Sequence, residues 1–259
     1  MTDAHNHLQQ FSNPGKILAE ARAHGVTRML VNGTCEQDWP QVEQLAHTHP
    51  QILSAFGLHP WQVPKRSPNW LQALRQFLEK NPTASIGECG LDRWKKPFDL
   101  ADQIDCLQAQ LDLANELKRS LTIHCLKAWG PLLELLQKQP QLPPFLLHAY
   151  SGSIEMIAPF SHLGAYFSFN GYFLHKRKAS VRETFCHIPI NRLLIESDAP
   201  TMLPPQDSTV TANEFDDVFG DLADHGDLVG IGQIERRANV DTANIGVSVH
   251  RIDKVALIE

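Results

Sequence analysis

A (β/α)8 TIM barrel is the fold class this 259-residue sequence predicts, and three observations point to it. Eight short apolar runs alternate with longer amphipathic segments. Strict βα alternation implies a parallel sheet, because each return to a parallel strand needs a crossover. The length suits eight such units, which occupy about 200–250 residues in one closed barrel. No G-x-G-x-x-G or P-loop string follows the first run, which weakens the open doubly wound sheet as the alternative.

The strands are expected over 1–7, 28–32, 52–58, 85–88, 121–124, 145–148, 165–169 and 192–196. Each run is short, rich in β-branched, aromatic or other apolar residues, and bounded by Gly, Pro, Asn or Ser. Helices are expected between them, over 17–24, 37–48, 68–80, 101–118, 129–137, 154–160 and 178–187. The third opens at Ser67-Pro68, a helix-start signal. The fourth is the clearest, with Ile104, Leu107, Leu111, Ala114 and Leu117 at helical spacing. The eighth unit is less regular: Asn213 is placed to cap a short helix carrying Phe215, Val218, Phe219 and Leu222. The expected organisation is one catalytic barrel over 1–222 and an atypical tail over 223–259, which is either dispensable for catalysis or an unusual ending of the barrel.

Composition excludes several classes. With 42% hydrophobic and 20% charged residues, the chain is an ordinary globular protein rather than a disordered one. No run approaches the ~18 consecutive apolar residues of a membrane span, and no signal pattern opens the chain. Five cysteines, none in a C-x-x-C pair, suit reduced thiols in the cytoplasm rather than a disulfide framework. A net charge of −6 argues against a large polyanion-binding surface but leaves room for a local phosphate site.

The chemistry lies at the strand ends. The first strand closes on Asp3-Ala4-His5-Asn6-His7, where alternation puts His5 and His7 on one face. Taken alone, these read equally well as two surface histidines near a terminus. Glu88 ends the fourth strand between glycines, His124 ends the fifth, His148 the sixth, and Asp198 follows the eighth. In a barrel these ends converge on one mouth, where catalytic groups sit. Four imidazoles and two carboxylates suit Zn²⁺, Mn²⁺ or a similar ion, and are too nitrogen-rich for a Ca²⁺ cage. They exceed what one four-coordinate zinc needs, and two ions sharing a carboxylate account for the surplus.

Six strings occur in order: D-A-H-N-H at 3–7, G-L-H-P-W at 57–61, I-G-E-C-G-L-D at 86–92, T-I-H-C at 122–125, H-A-Y-S-G-S at 148–153 and L-L-I-E-S-D-A-P at 193–200. In these the sequence resembles the TatD-type metal-dependent deoxyribonucleases of the amidohydrolase superfamily. The resemblance implies two divalent ions (Zn²⁺, Mn²⁺ or Mg²⁺). One would be held by His5, His7, Glu88 and Asp198, the other by Glu88, His124 and His148, with Glu88 bridging and Asp198 taking a proton from the attacking water. There are departures. The arginine usual two residues after the fifth-strand histidine is replaced by Leu126, followed by Lys127. The H-C-F-S-G string stands here as His148-Ala149-Tyr150-Ser151-Gly152.

The loops supply cations beside aromatics: Trp61, then Arg93-Trp94-Lys95-Lys96, Lys127 with Trp129, and Tyr172-Phe173 with His175-Lys176-Arg177-Lys178. On a barrel these rim one mouth, with Lys127, Trp129, Lys95, Lys176 and Trp61 as candidate substrate contacts. Such pairs suit a nucleic-acid strand whose phosphates are neutralised while its bases stack. The plainer alternative is ordinary loop lysines and tryptophans packed on the barrel shoulder. The expected partner is DNA, single-stranded or at frayed ends, cut by a monomer acting as an exonuclease. A rival is a hydrolase of a small ester, lactone or amide, because such sites host many substrates. Another is a non-catalytic metal-binding component of an assembly. His59 is a possible substrate or supporting contact, Asp3 a partner for a ligand histidine, Asp92 a loop-orienting residue, and Cys89 and Cys125 core thiols.

Overall fold

A computed structural model describes residues 1–205, and every structural statement below concerns those residues. Eight parallel strands lie side by side in chain order: β1 Thr2–Asn6, β2 Arg28–Asn32, β3 Ile52–Phe56, β4 Ser85–Asp92, β5 Leu121–Leu126, β6 Phe145–Leu147, β7 Ala165–Asn170 and β8 Leu193–Glu196. The two edges meet: Asp198 N–H donates to His5 O at 2.9 Å and His7 N–H to Ala199 O at 2.8 Å. The expected barrel is therefore present and nearly closed.

Seven α-helices form the outer layer: α1 Pro14–Ala23, α2 Trp39–Thr48, α3 Trp70–Lys80, α4 Leu100–Leu117, α5 Trp129–Gln137, α6 Ile157–His162 and α7 Ala179–Phe185. The Asn13 side chain caps α1 by accepting Lys16 N–H, so that helix starts three residues before the periodicity suggests. Asp99 caps α4 through Ala101 and Asp102 N–H. Strand β4 runs four residues beyond the expected end at 88 and carries Asp92 into the mouth. The helix expected at 213–222 and the tail over 223–259 lie outside the described residues.

Alternation sorts each strand into two faces. Met29, Val31, Ile123, Cys125, Phe145, Leu147, Phe167, Phe169, Leu193 and Ile195 pack outward with the helices in one large core. Ala4, Leu30, Ala55, Leu146 and Leu194, with Leu53 and Tyr166 against them, form a separate apolar layer inside the barrel. One step further along the same faces come Asn32, His148 and Glu196, so a polar layer lies directly above the apolar one. Trp39 shows how the helices are held. It is fully buried, donates its indole N–H to Gly57 O at 3.0 Å, and meets the Phe77 ring edge-on. Trp39→Ala should cost about 3–5 kcal/mol, read as a lowered urea midpoint. A loss under about 1 kcal/mol would mean this contact is not part of the folded core.

Candidate metal centre

The polar layer is built by local departures from regular strand geometry. In β1 the register against β2 shifts between Asp3 and Asn6, and in β4 the register against β5 shifts between Ile86 and Cys89. Each shift spends an extra residue and changes which side chains face inward. Ala4 can thus belong to the inner apolar layer while His5 and His7 reach the mouth. Lys127, Ala149 and Asp198, just past β5, β6 and β8, have φ of +57°, +43° and +48°. Left-handed backbone at three strand ends turns the chain away sharply and is tolerated where surroundings over-determine it.

Glu88 is buried at the centre, and its two oxygens divide the histidines into two groups. His5 Nε2 and His7 Nε2 lie 3.3 and 3.1 Å from Oε2. Asp198 Oδ1 completes that group, 3.5 Å from His5 Nε2 and 3.3 Å from His7 Nε2. His124 Nδ1 and His148 Nε2 lie 2.9 and 2.8 Å from Oε1, and His59 Nε2 is 3.2 Å from the same oxygen. Within each group ring nitrogens face one another, His5 against His7 at 3.3 Å and His124 against His148 at 3.2 Å. The structure thus brings together all six residues expected to bind metal, from five strand ends.

The protonation pattern shows what the site attracts. Burial alone would push Glu88 up, yet the imidazoles around it, His148 foremost, outweigh this and hold it well below the usual carboxylate range. Burial alone would push His7 down, but hydrogen bonds to Asp198 and Glu88 raise it to about 10. His148 is raised well above its usual value against the same burial by Glu88 and Glu196. The carboxylates therefore demand positive charge, which either protons on the imidazoles or a cation among them can supply. Three sets of donor atoms, His5–Glu88–His148, His5–His7–Asp198 and His59–Glu88–His124, each lie within 4.8 Å of one another. Mixed imidazole and carboxylate donors of this kind fit divalent ions such as zinc or manganese.

The partners behind the donors orient them. His7 Nδ1 donates to Asn32 O at 2.9 Å, so Nε2 is the nitrogen that faces the cluster and would hold a cation there. His148 Nδ1 faces Glu196 Oε1 at 3.5 Å, and Glu196 is fully buried with Ser168 Oγ donating to its other oxygen. Glu196 escapes the sequence reading, although its spacing of two from Leu194 and from Asp198 marks the same face. His59 is held neutral by burial, at about 4. Its Nδ1 accepts Trp61 N–H at 3.0 Å, so Nε2 carries the proton and donates to Glu88. Asp3 accepts Ser197 N–H, Ser197 Oγ–H and His5 N–H, so it braces the chain where β1 meets the end of β8 rather than an imidazole. Asp92 stays ionised at about 2: burial raises it, but His124 and the Lys95 and Trp94 N–H groups outweigh that. Cys89 and Cys125 are buried on the outward face, as expected.

The candidate substrate contacts divide. Lys95, Lys127 and Lys176 are exposed on loops after β4, β5 and β7. Trp61 is half-buried, with Lys95 Nζ 4.1 Å above its ring. Trp94 is 55% exposed and free to contact a ligand. Trp129 instead packs edge-on against Tyr150 and Phe160, because α5 turns its first residue onto the barrel shoulder. Tyr172 carries Arg177 and Lys178 over its ring at 5.4 and 5.2 Å.

The family model described as TatD related DNase matches residues 2–233. A protein of Pantoea ananatis named 3'-5' ssDNA/RNA exonuclease TatD is 33% identical over 196 residues, 74% of this chain and 75% of its own. One of the same name from Pantoea sp. (strain At-9b) is 34% identical over 193 residues, 73% and 74% of the two chains. Among solved structures, the TatD homologue YjjV of Escherichia coli K12 superposes with a TM-score of 0.75 at 27% identity, covering 86% of this chain and 89% of that one.

Proposed function

The chain belongs to the TatD related DNase family, and on that premise we propose that it removes nucleotides from the ends of single-stranded DNA or RNA using two divalent ions. It is a hydrolase acting on phosphodiester bonds. The observation that carries the two-ion reading is the division of donors between the two oxygens of Glu88. His5, His7 and Asp198 would share one ion with Oε2, and His124 and His148 the other with Oε1. Zn²⁺, Mn²⁺ and Mg²⁺ are the candidates. Bound there, the ions supply an activated water and stabilise charge on the attacking and leaving oxygens. All the donors come from one chain, so this reading needs no partner subunit. The buried thiols Cys89, Cys106 and Cys125 suit the reducing cytoplasm, which we include in the proposal.

The chain's own residues do the rest. Asp198 accepts a proton at the carboxylate that faces His5 and His7, while Thr201 Oγ–H holds its backbone O at 2.8 Å. Lys95, Lys127 and Lys176 neutralise backbone phosphates around the mouth, and Trp61 and Trp94 offer faces to bases. A binding role without turnover is disfavoured by a complete donor set beneath an exposed mouth. A small-ester hydrolase is disfavoured by the cations and by the activity in the relatives' names.

Labelled single- and double-stranded oligonucleotides with Mg²⁺, Mn²⁺, Zn²⁺ or chelator test this. Stepwise shortening of single strands from the 3′ end, abolished by chelator, is expected. Lys127→Ala and Lys176→Ala together should flatten the dependence of log KM on log salt by about one unit per lysine, at most. Turnover of a small uncharged ester with no oligonucleotide shortening, or shortening indifferent to chelator, would overturn the reading.

A further inference from the structure

His124 meets the cluster through a different ring nitrogen from its neighbours. His5, His7 and His148 each present Nε2 to Glu88, whereas His124 presents Nδ1. Its Nε2 points the other way, 3.0 Å from Asp92 Oδ2. The Asp92 carboxylate is crowded with donors. Oδ2 also accepts the Trp61 indole N–H at 2.9 Å, and Oδ1 accepts the backbone N–H of Trp94 at 2.6 Å and of Lys95 at 2.9 Å. Its main chain is gripped from α4: Asp92 N–H donates to Gln103 Oε1 at 2.8 Å, and Gln103 Nε2 donates back to Asp92 O at 3.0 Å. Asp92 and Gln103 are both buried.

We propose that Asp92 is a positioning residue with two linked tasks: it fixes His124 in the Nε2–H tautomer, and it anchors the 93–97 loop that carries Trp94 and Lys95 to the mouth. The first task follows from valence. A carboxylate that already accepts three N–H groups can only accept from His124 too, so the nitrogen that faces it carries the hydrogen, and in the neutral imidazole the lone pair is then on Nδ1, toward Glu88 and His148. The second follows from the shared carboxylate. Lys95 stacks over Trp61, and both Trp61 and the Lys95 backbone end on the same carboxylate. The loop that would touch nucleic acid and the imidazole that would touch an ion are thus two bonds apart through one side chain. This inference rests on the two-ion reading for its consequence, not for its geometry.

Asp92→Asn separates the tasks. Asn keeps the shape, and its oxygen can still accept Trp94 and Lys95 N–H. Its NH2 then faces two N–H donors, Trp61 and His124. His124 relieves the conflict by moving its hydrogen to Nδ1, which withdraws the lone pair from the cluster. The expected result is one site weakened about 10- to 100-fold for Zn²⁺ by competition titration, the other unchanged. Trp61→Phe removes one donor but leaves the carboxylate, so Zn²⁺ uptake should stay within about threefold while KM for an oligonucleotide rises. Wild-type affinity at both sites in Asp92→Asn overturns the proposal. Long-range ¹H–¹⁵N spectra of the wild-type protein, with His124 assigned by its loss in His124→Gln, provide a check that needs no folded Asp92 variant. Read at a pH high enough for His124 to carry a single hydrogen, Nε2–H is expected, and Nδ1–H would overturn the proposal. A wild-type protein that takes up no metal would instead sink the two-ion reading, while the tautomer measurement still decides the part played by Asp92.

Discussion

Glu88→Ala is expected to lower oligonucleotide cleavage at least about 1,000-fold while the barrel stays folded. Even a partner that only supports a metal ligand is worth ~10–100-fold, and Glu88 touches both groups of donors at once. The fold should survive because the backbone at this point is held independently: Glu88 N–H donates to Gly33 O at 2.8 Å, a bond the substitution keeps. The electrostatic consequence is also contained. His7 and His148 carry raised pKa values because carboxylates face them, and without Glu88 they can lose protons rather than remain as buried unpaired cations. Bound metal per chain should fall in step with activity, whereas circular dichroism and the urea midpoint should change little. Glu88→Gln separates charge from shape and should fall nearly as far, since an amide cannot present two anionic oxygens. Full activity in either variant would remove Glu88 from the centre of the mechanism.

The barrel is legible in the sequence because a parallel strand buried on both faces leaves an uninterrupted apolar run, as in Phe145-Leu146-Leu147. A histidine that directly ends such a run, like His148, has few places to go except the mouth. What the sequence conceals is pairing between distant loops. Asp92 meets Trp61 and His124 across 31 and 32 residues, and no local pattern announces either contact. Glu196 is concealed differently, because it closes an apolar strand two residues before the more conspicuous Asp198. Trp129 is the converse case. Its place after β5 reads as rim, but Tyr150 and Phe160, contributed by later segments, draw its ring onto the shoulder. Strand phase is a further limit: simple alternation along β1 predicts the shared face of His5 and His7, yet not the register shift that brings them above Ala4.

The pairing of β4 with β5 makes Gly90 the tightest glycine among the described residues. Gly90 pairs with His124 across β4 and β5, and its φ is +144°. A Cβ placed there would overlap His124 O and lie 2.8 Å from its carbonyl carbon, both backbone atoms that no rotamer change can move. To admit a methyl group, the two strands must part, and an L-residue at that φ adds strain of its own. Gly90→Ala should therefore cost more than about 3 kcal/mol of stability, beyond the usual range for one methyl group. The damage has a direction as well as a size. Glu88 and Asp92 flank Gly90 on one strand and His124 lies opposite on the other, so parting them stretches both bonds of the His124 imidazole together. Gly130 in α5 is the matched control: a Cβ there meets nothing within 4 Å, and Gly130→Ala should be neutral or stabilising by up to about 1 kcal/mol. If the urea midpoints and metal contents of Gly90→Ala and Gly130→Ala agree, then β4 and β5 are not packed as closely as this site requires.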